Sequence, residues 1–387
     1  MKKVYMDYGA TTPVDPRVLK AMEPYFLKYY GNSMSVHSWG VKAKEALEES
    51  RERVASLMNA KAKEVVFTSS ATESDNFALK GIAFANKNKG KHIIVSSIEH
   101  HAVLEPAEWL KKQGFEVTIL PVDEYGLIDL NKLENVIRND TVLVSIIFGN
   151  NEIGVIQDIK GIGKICREKG VYFHSDATQA FGKVPIDVKR MNIDLLTINA
   201  HKVYGPKGVG GLYVRDGIEI DPLLHGGGHE FGLRSSTVNV PGIVGFGKVA
   251  EIQKKEMNLD ARKQIKLRDR LIKETLKIEN SHLNGHPTKR LPNNTHFWFA
   301  YIEGESLIMQ LDTHGIAAST GSACSSGSLE PSHVLLALGL KHEEAHGSLR
   351  LTLGKYNTKE DVNYVLKVLP SVVERLRKIS PFKGKWE

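Results

Sequence analysis

Cysteine is nearly absent: only Cys166 and Cys324 occur in 387 residues. That is too few for the disulfide framework of a small secreted domain, and the two lack the paired spacing of a zinc site. A reducing cytoplasm is the expected compartment. Long apolar runs are missing too. The longest, Val142 to Phe148, is broken by Ser145 and falls far short of the roughly 20 residues that cross a bilayer. Lys2 and Lys3 are followed by Asp7 rather than by an apolar core, so neither a secretory signal nor a membrane anchor is expected. Charge of one sign is scarce: 52 Lys+Arg against 45 Asp+Glu leave +7, a mild excess that does not by itself imply a nucleic-acid partner. What is present, 41% hydrophobic and 25% charged residues, suffices for one or two sizeable cores without repeats or a structural metal.

Short β-branched runs alternate with longer helical patterns between about residues 60 and 215. The runs are Glu64–Thr68, His92–Ser96, Val117–Leu120, Thr141–Phe148, Val171–His174, Asp194–Ile198 and Val209–Val214. This alternation predicts an α/β domain built on one mainly parallel, buried sheet. From about residue 255 the texture changes to a charged helical segment. Its apolar residues fall on two faces, Ile265, Ile272 and Leu276 on one and Leu267, Leu271 and Ile278 on the other, so a long helix touching packed surface on two sides is expected. Strands over Thr295–Ile302 and Ser348–Leu353, with helices over Pro331–Leu338 and Asp361–Ile379, predict a smaller α+β domain.

In an open α/β sheet, ligands gather beyond the carboxyl ends of the strands, so the polar residues just after each run deserve inspection. After Phe67 comes Thr68-Ser69-Ser70-Ala71-Thr72-Glu73-Ser74, leading into a helix and offering hydroxyls and backbone N–H groups to a phosphate; the same pattern is also an ordinary helix cap. Glu99-His100-His101 follows the next run, and His100 is placed either to stack on an aromatic ligand or to serve as a hydrogen-bonded core histidine. Asn150-Asn151-Glu152-Ile153-Gly154 follows Phe148. Asp176 closely follows the apolar run ending at Phe173, where burial is costly without a cation such as a protonated ring nitrogen or an arginine; capping is the alternative. Lys202 precedes a Gly-Pro-Lys-Gly turn and is a candidate Schiff-base lysine. A phosphate cradle, an aromatic stacker, a buried carboxylate and a lysine, all at strand ends, together match the requirements of pyridoxal 5′-phosphate.

A second group lies in the smaller domain. Cys324 sits in the small-residue stretch Ser319–Ser328 with no bulky apolar neighbour to bury it, so it reads as an exposed nucleophilic thiol. Cys166, within a helical run, reads as a buried hydrophobe. Arg350 lies between apolar residues of a strand, where its planar fork suits either a substrate carboxylate or an internal ion pair.

These motifs resemble the pyridoxal-phosphate-dependent cysteine desulfurases of the NifS/IscS type, class V of the fold type I aminotransferases. The similarity rests on Ala71-Thr72-Glu73-Ser74, Glu99-His100, Asn150 to Gly154, Asp176-Ala177-Thr178-Gln179, His201-Lys202 with Tyr204 to Gly208, and Gly321-Ser322-Ala323-Cys324. It runs from Tyr5 to about Pro381. The resemblance implies a large cofactor-binding domain over 15–255 with a mainly parallel seven-stranded sheet, and a smaller α+β domain from 1–14 and 256–387 that carries the cysteine loop. It further implies that Lys202 carries the cofactor and moves the Cα proton. Asp176 pairs with the pyridinium nitrogen, Gln179 and Asn151 lie at the phenolic oxygen, and His100 stacks on the ring as a candidate acid/base. Ala71, Thr72, Asn199 and His201 hold the phosphate, while Thr237 reaches the phosphate of a second subunit. Arg350, with Asn151, binds the substrate, and Cys324 takes its sulfur as a persulfide, releasing alanine from L-cysteine. No intrinsic metal is implied, although the Cys324 persulfide could transiently ligate a shared iron–sulfur cluster. A homodimer and a sulfur acceptor, such as an iron–sulfur scaffold protein, are the expected partners. Gly9, where the family more often has Ala, Ser or Asn, and Asn199, where it commonly has Ser, depart from the pattern. Within the fold, a selenocysteine lyase or a class V aminotransferase is the alternative; outside catalysis, a sulfur-relay or scaffold-binding protein is.

Overall fold

The computed structural model describes residues 2–321 and 331–380. Its strands are β1 (Val4–Tyr5), β2 (Val65–Thr68), β3 (His92–Ser96), β4 (Glu116–Leu120), β5 (Thr141–Ser145), β6 (Tyr172–Asp176), β7 (Leu195–Asn199), β8 (Gly210–Val214), β9 (Ser281–Leu283), β10 (Asn294–Phe299), β11 (Ile316–Ala317) and β12 (Ser348–Thr352). Seven of them form one sheet in the order β2-β8-β7-β6-β5-β3-β4. Only β8 runs against its neighbours in that sheet, while β7-β6, β6-β5, β5-β3 and β3-β4 pair in parallel. β2 and β7 both oppose β8, so they share a direction, and six carboxyl ends emerge on one edge.

The expected runs fall on these strands with small shifts at their ends. Within each, alternate residues serve opposite faces. Ile94, Val144, Phe173 and Leu196 join a core with Val54 and Phe246. Ile93, Val95, Leu143 and Leu195 face the other way, onto Phe77, Leu79 and Val103 of the helices Ala71–Ala85 and His101–Lys112. Burial on both faces explains why the strands read as continuous apolar runs rather than as alternating ones.

A separate core gathers Val4 and Met6 with Phe297, Phe299, Leu349, Leu351, Val365 and Leu369. Here β12, β10 and β9 make a three-stranded antiparallel sheet, β1 pairs with β11, and the helices Gly304–Thr313 and Lys359–Ile379 cover them. The amino-terminal strand thus belongs to a core made otherwise of residues beyond 260.

The long helix spans Val240–Thr275, earlier than the charged texture suggests. Its start is set by Asn239, whose side chain accepts from the Gly242 N–H at 3.1 Å, and by Pro241 in the first turn. The expectation of two packed faces is corrected. Ile265 is 36% exposed and Leu276 42% exposed, and Ile278 lies past the helix end. In its carboxyl-terminal part the buried set is Gln264, Leu267, Arg268, Leu271 and Thr275, spaced three and four apart along one inward stripe, with Ile272 packed at its margin. Buried Arg268 explains how this stripe escapes an apolar reading: its Nη1 donates to the Leu291 carbonyl at 2.9 Å. Leu271→Ala should therefore destabilise the fold by about 2–5 kcal/mol, whereas Leu276→Ala should change stability by roughly 0.5 kcal/mol or less. Denaturant unfolding of the two variants checks the assignment, which equal losses would contradict.

Candidate active site

A cavity of about 360 Å³ opens at the carboxyl edge of the large sheet, within the size range of small-ligand sites. Ala71, Thr72, His100, Asn151, Asp176, Gln179, Asn199, His201, Lys202 and Arg350 all line it. Thr237 does not: it lies exposed in the segment before the long helix. Cys324 lies outside the described residues, but Gly321, three residues before it, lines the cavity.

The cradle at the end of β2 follows from helix capping. Ser70 is the cap of the helix Ala71–Ala85, and its Oγ accepts from the Glu73 N–H at 3.1 Å. Ser69 bonds to Glu73 through both its N–H and its hydroxyl. These two hydroxyls are therefore engaged in capping. Ala71 and Thr72 are left to present first-turn N–H groups, which have no acceptors within the helix, toward the cavity. Burial opposes ionisation of Glu73, but hydrogen bonds from Arg234 and Ser69 outweigh it and hold its carboxyl below the usual range. The Arg234 fork grips it at 2.7 and 3.0 Å. Gly210, at the start of β8, passes so close to this turn that a Cβ there would sit 2.6 Å from the Ser70 carbonyl carbon.

Lys202 stands in the turn after β7. Its Nζ donates to the carbonyls of Gly9 at 2.8 Å and Ala10 at 2.7 Å. The turn is tied to the same amino-terminal segment: Thr12 donates through its N–H and its hydroxyl to the His201 carbonyl, and its Oγ1 accepts from the Tyr204 N–H at 2.8 Å. Tyr204 adopts φ +73°, an unfavourable conformation for a bulky residue that these bonds hold in place. Asn199 Oδ1 accepts from the His201 N–H at 2.9 Å. Burial, followed by the charges of Lys202, Lys207 and Lys183, pushes His201 down to about 4, so its ring is neutral. Gly9 is the residue that fits here: a Cβ would lie 3.1 Å from Thr352 Cγ2, and its N–H donates to Thr352 Oγ1 at 2.7 Å.

Asp176 ends β6 with 4% exposure, one oxygen accepting from the Thr178 N–H at 2.8 Å. Gln179 is buried and donates from Nε2 to the Gly9 carbonyl at 2.8 Å. His100 caps the helix His101–Lys112, its Nδ1 accepting from the Ala102 N–H at 3.1 Å, which leaves Nε2 as the protonated nitrogen of the neutral ring. Burial lowers its proton affinity, with Asp176 opposing and Lys202 reinforcing the shift. Arg350, in the middle of β12, donates to the Asn151 carbonyl at 3.0 Å and pairs with Asp7 at 3.1 Å. Both readings of this arginine thus meet in one residue, an ion pair at the wall of a ligand cavity.

Two buried carboxyls emerge beside the site: Asp75, which strand-end inspection overlooks, and Glu99, which it names without a role. Asp75, one turn beyond Ala71 on the cavity side of its helix, is fully buried 3.6 Å from His174 Nε2. Burial and the charge of Asp176 hold it well above the usual carboxylate range. Its position four residues after Ala71 is the signal that could have found it. Glu99 is buried as well, its Oε1 accepting from Ser96 Oγ and from the Ile147 N–H at 2.7 Å; burial raises it to about 8. Cys166 is 1% exposed and its thiol is pushed up by burial, the inert core residue its helix predicts. Among the described residues, no cluster of three or more His, Cys, Asp or Glu is placed to hold a metal ion, and no helix is long and apolar enough to cross a membrane.

Glu99 carries a pH prediction. Its native carboxyl holds a proton to about 8, whereas an unfolded glutamate loses it near 4.3, so between these values the native state binds the extra proton and stability falls as pH rises. Glu99→Gln removes that loss. Relative to wild type, the variant should gain stability from pH 5 to pH 8, with a slope approaching about 1.4 kcal/mol per unit. Urea unfolding at several pH values gives the two curves, and parallel curves would show that Glu99 is ionised in the folded protein.

The cavity has the parts that pyridoxal phosphate needs: first-turn N–H groups for the phosphate, an acid for the pyridine nitrogen, a histidine beside the ring position and an amine within the same walls. Comparison with known proteins agrees. The family model for class V aminotransferases matches residues 4–365. A cysteine desulfurase IscS of Methanosarcina thermophila is 57% identical, over 99% of this chain and 95% of the relative. IscS 1 of Archaeoglobus fulgidus is 56% identical over 97% and 98%. Among solved structures, a NifS-like protein superposes with a TM-score of 0.91 at 40% identity, covering 97% of this chain and all of that one. SspA, solved in complex with cysteine, gives 0.82 at 38%, covering 92% and 100%. The chain belongs to the pyridoxal-phosphate-dependent class V aminotransferase family, among its cysteine desulfurases of the NifS/IscS type.

Proposed function

We propose that this protein is an L-cysteine desulfurase that transfers the substrate's sulfur to Cys324. The observation that carries the reading is the convergence of Lys202, Asp176, His100 and Arg350 on one cavity whose rim leads, through Gly321, to the segment bearing Cys324. The overall change balances without an external redox partner: L-cysteine and the enzyme thiol give L-alanine and an enzyme persulfide.

Pyridoxal phosphate, when bound, supplies an electron-withdrawing ring that accepts electron density released at the substrate's Cα. The chain's residues do the rest. Ala71 and Thr72, with Asn199 and His201, hold the phosphate; Asp176 holds a proton on the pyridine nitrogen; Gln179 and Asn151 face the phenolic oxygen. Arg350 exchanges part of its bonding to Asp7 for the substrate carboxylate, which fixes the amino acid's orientation. The Lys202 amine moves the Cα proton, and His100, neutral with its proton on Nε2, is placed to assist. The Cys324 thiolate attacks the substrate sulfur, the S–S bond forming as the C–S bond breaks.

Homodimer formation fits the apolar surface on the helices near the amino terminus, where Leu19, Phe26, Leu27, Tyr30, Val36 and Trp39 are each more than half exposed. A patch of this kind marks an interaction surface. Exposed Thr237, on the segment held by Arg234 and Glu73, is assigned to the phosphate of the second subunit. The division into a large domain over 15–255 and a small one from 1–14 and 256–387 is supported by the separate core that gathers Val4 and Met6 with residues beyond 260. A cytoplasmic location accords with the scarcity of cysteine, and the persulfide is passed to an acceptor such as an iron–sulfur scaffold protein, with Cys324 able to ligate a shared cluster transiently.

Two substitutions test the assignment. Lys202→Ala should give colourless protein and lower alanine formation from cysteine by roughly 10²–10⁴-fold or more. Cys324→Ser should stay yellow while losing persulfide. Quantifying alanine and persulfide in both decides the matter: a Cys324→Ser enzyme that still mobilises sulfur would sink the nucleophile assignment.

A further inference from the structure

Lys183 has no part in the reaction as described, yet it lies directly behind it. Its Nζ donates to Gln179 Oε1 at 2.8 Å, and the other end of that carboxamide, Nε2, donates to the Gly9 carbonyl at 2.8 Å. The same carbonyl accepts from Lys202 Nζ at 2.8 Å. Lys183, Gln179, Gly9 and Lys202 are therefore joined through consecutive hydrogen bonds. A lysine ammonium has only donors to offer, so it fixes which end of the amide faces it: the oxygen turns to Lys183 and the NH₂ group to Gly9 and the cavity. Lys183 and Lys202 also line a small chamber of about 20 Å³, together with Tyr8, Tyr204, Gln253 and Asp260, room for a single water.

We propose that Lys183 is a positioning residue for the lysine-bound cofactor: through Gln179 it aims the carboxamide NH₂ at the cavity, and its positive charge lowers the proton affinity of the nitrogen at Lys202. This rests on the reading of Lys202 as the cofactor-bearing residue.

Burial, then the charges of Lys202 and Arg350, press the Lys183 amine down to about 7. Two nearby cations each make the other's proton easier to lose, so the effect on Lys202 is the reciprocal one. The other groups around the pair are Asp260, Tyr8 and Tyr204 in the chamber, His201 with Lys207 on the turn, and Asp176, His100 and Arg350 across the cavity. None of these side chains is replaced in a Lys183 variant; of them, His201 also feels the Lys183 charge and is held near about 4 mainly by burial, so its titration lies below that of the lysine-bound cofactor.

The test uses the cofactor-loaded enzyme without cysteine and follows the visible absorption band of the lysine-bound cofactor against pH. Lys183→Met should move the midpoint upward by about half a unit or more, and Lys183→Arg, which keeps a donor and a charge, should return it toward the wild-type value. Should the methionine variant fail to fold, Lys183→Gln, a neutral donor, should show the same upward shift. A midpoint in a folded neutral variant that stays within about 0.2 unit of wild type overturns the proposal, as does an arginine variant that behaves like the neutral one. Lys202→Ala serves as the control for the underlying reading: a visible band that survives it defeats that reading, whereas an unshifted Lys183 variant with Lys202-dependent colour defeats this inference alone.

Discussion

The short amino-terminal segment from Asp7 to Thr12 holds the two cores in register across the cavity. On one side it is bonded to β12: the Thr352 N–H donates to the Met6 carbonyl, the Gly9 N–H to Thr352 Oγ1, and Asp7 pairs with Arg350. On the other side its carbonyls and hydroxyls take up Lys202, Gln179, His201 and Tyr204. A peptide segment has fixed dimensions and no soft degrees of freedom beyond φ and ψ. Its position therefore sets how far Arg350 stands from Lys202, the two residues proposed to anchor a substrate carboxylate and to move its proton. Gly9 is the tight point, since any larger residue presses on Thr352.

Charge is sorted around this segment. Asp75, Glu99 and Asp176 are buried at the strand-end wall, while Lys183, Lys202 and Arg350 gather near Gly9. Three carboxyls that close do not ionise independently in a buried setting: burial raises both Asp75 and Glu99, and the nearby Asp176 adds to the rise of each. On the opposite wall, burial and mutual repulsion bring Lys183 down to about 7. A cavity with this distribution favours a ligand that is cationic at one end of its ring and anionic at its phosphate and carboxylate ends.

Most of this was legible in the sequence because the chemistry sits where a parallel sheet must put it. His100, Asn151, Asp176 and Lys202 follow strands closely, and short runs flanked by polar residues mark those ends even when strand boundaries shift by a residue or two. Less legible was whatever depends on a partner distant in sequence. That Ser69 and Ser70 spend their hydroxyls on Glu73 needs the position of Arg234; that Arg350 meets Asp7 needs the amino-terminal crossing. Asp75 and Lys183 lie on the inner side of elements whose outer residues look alike in composition. The helix start at Val240 was marked by Asn239 and Pro241, but the charge change near residue 255 is a louder signal and pointed to the wrong place. Ile265 and Leu276 looked packed because periodicity alone does not tell which of two apolar stripes meets a neighbour.

The anchoring of the described residues beside Cys324 bears on the sulfur-transfer role proposed for that thiol. Before it, the Thr320 carbonyl accepts from Ser348 Oγ at 2.9 Å and lies 3.2 Å from His296 Nε2. Burial keeps His296 neutral, with Nδ1 accepting from Asn284 Nδ2 at 2.8 Å, so Nε2 carries the proton that Thr320 receives. After it, Ser332 Oγ donates to Glu152 at 2.5 Å and His333 Nε2 meets the Glu99 carbonyl at 2.9 Å. These are polar bonds, buried at Ser332 and part-buried at Thr320 and His333, to elements that also shape the cavity. Cys324 is three residues from Gly321, and three residues span at most roughly 10 Å. Since Gly321 itself lines the cavity, the chain cannot carry Cys324 farther than that from the cavity wall, which is the constraint its proposed role requires. Residues fixed this firmly on either side of it are what the proposed role of Cys324 asks of the rest of the chain.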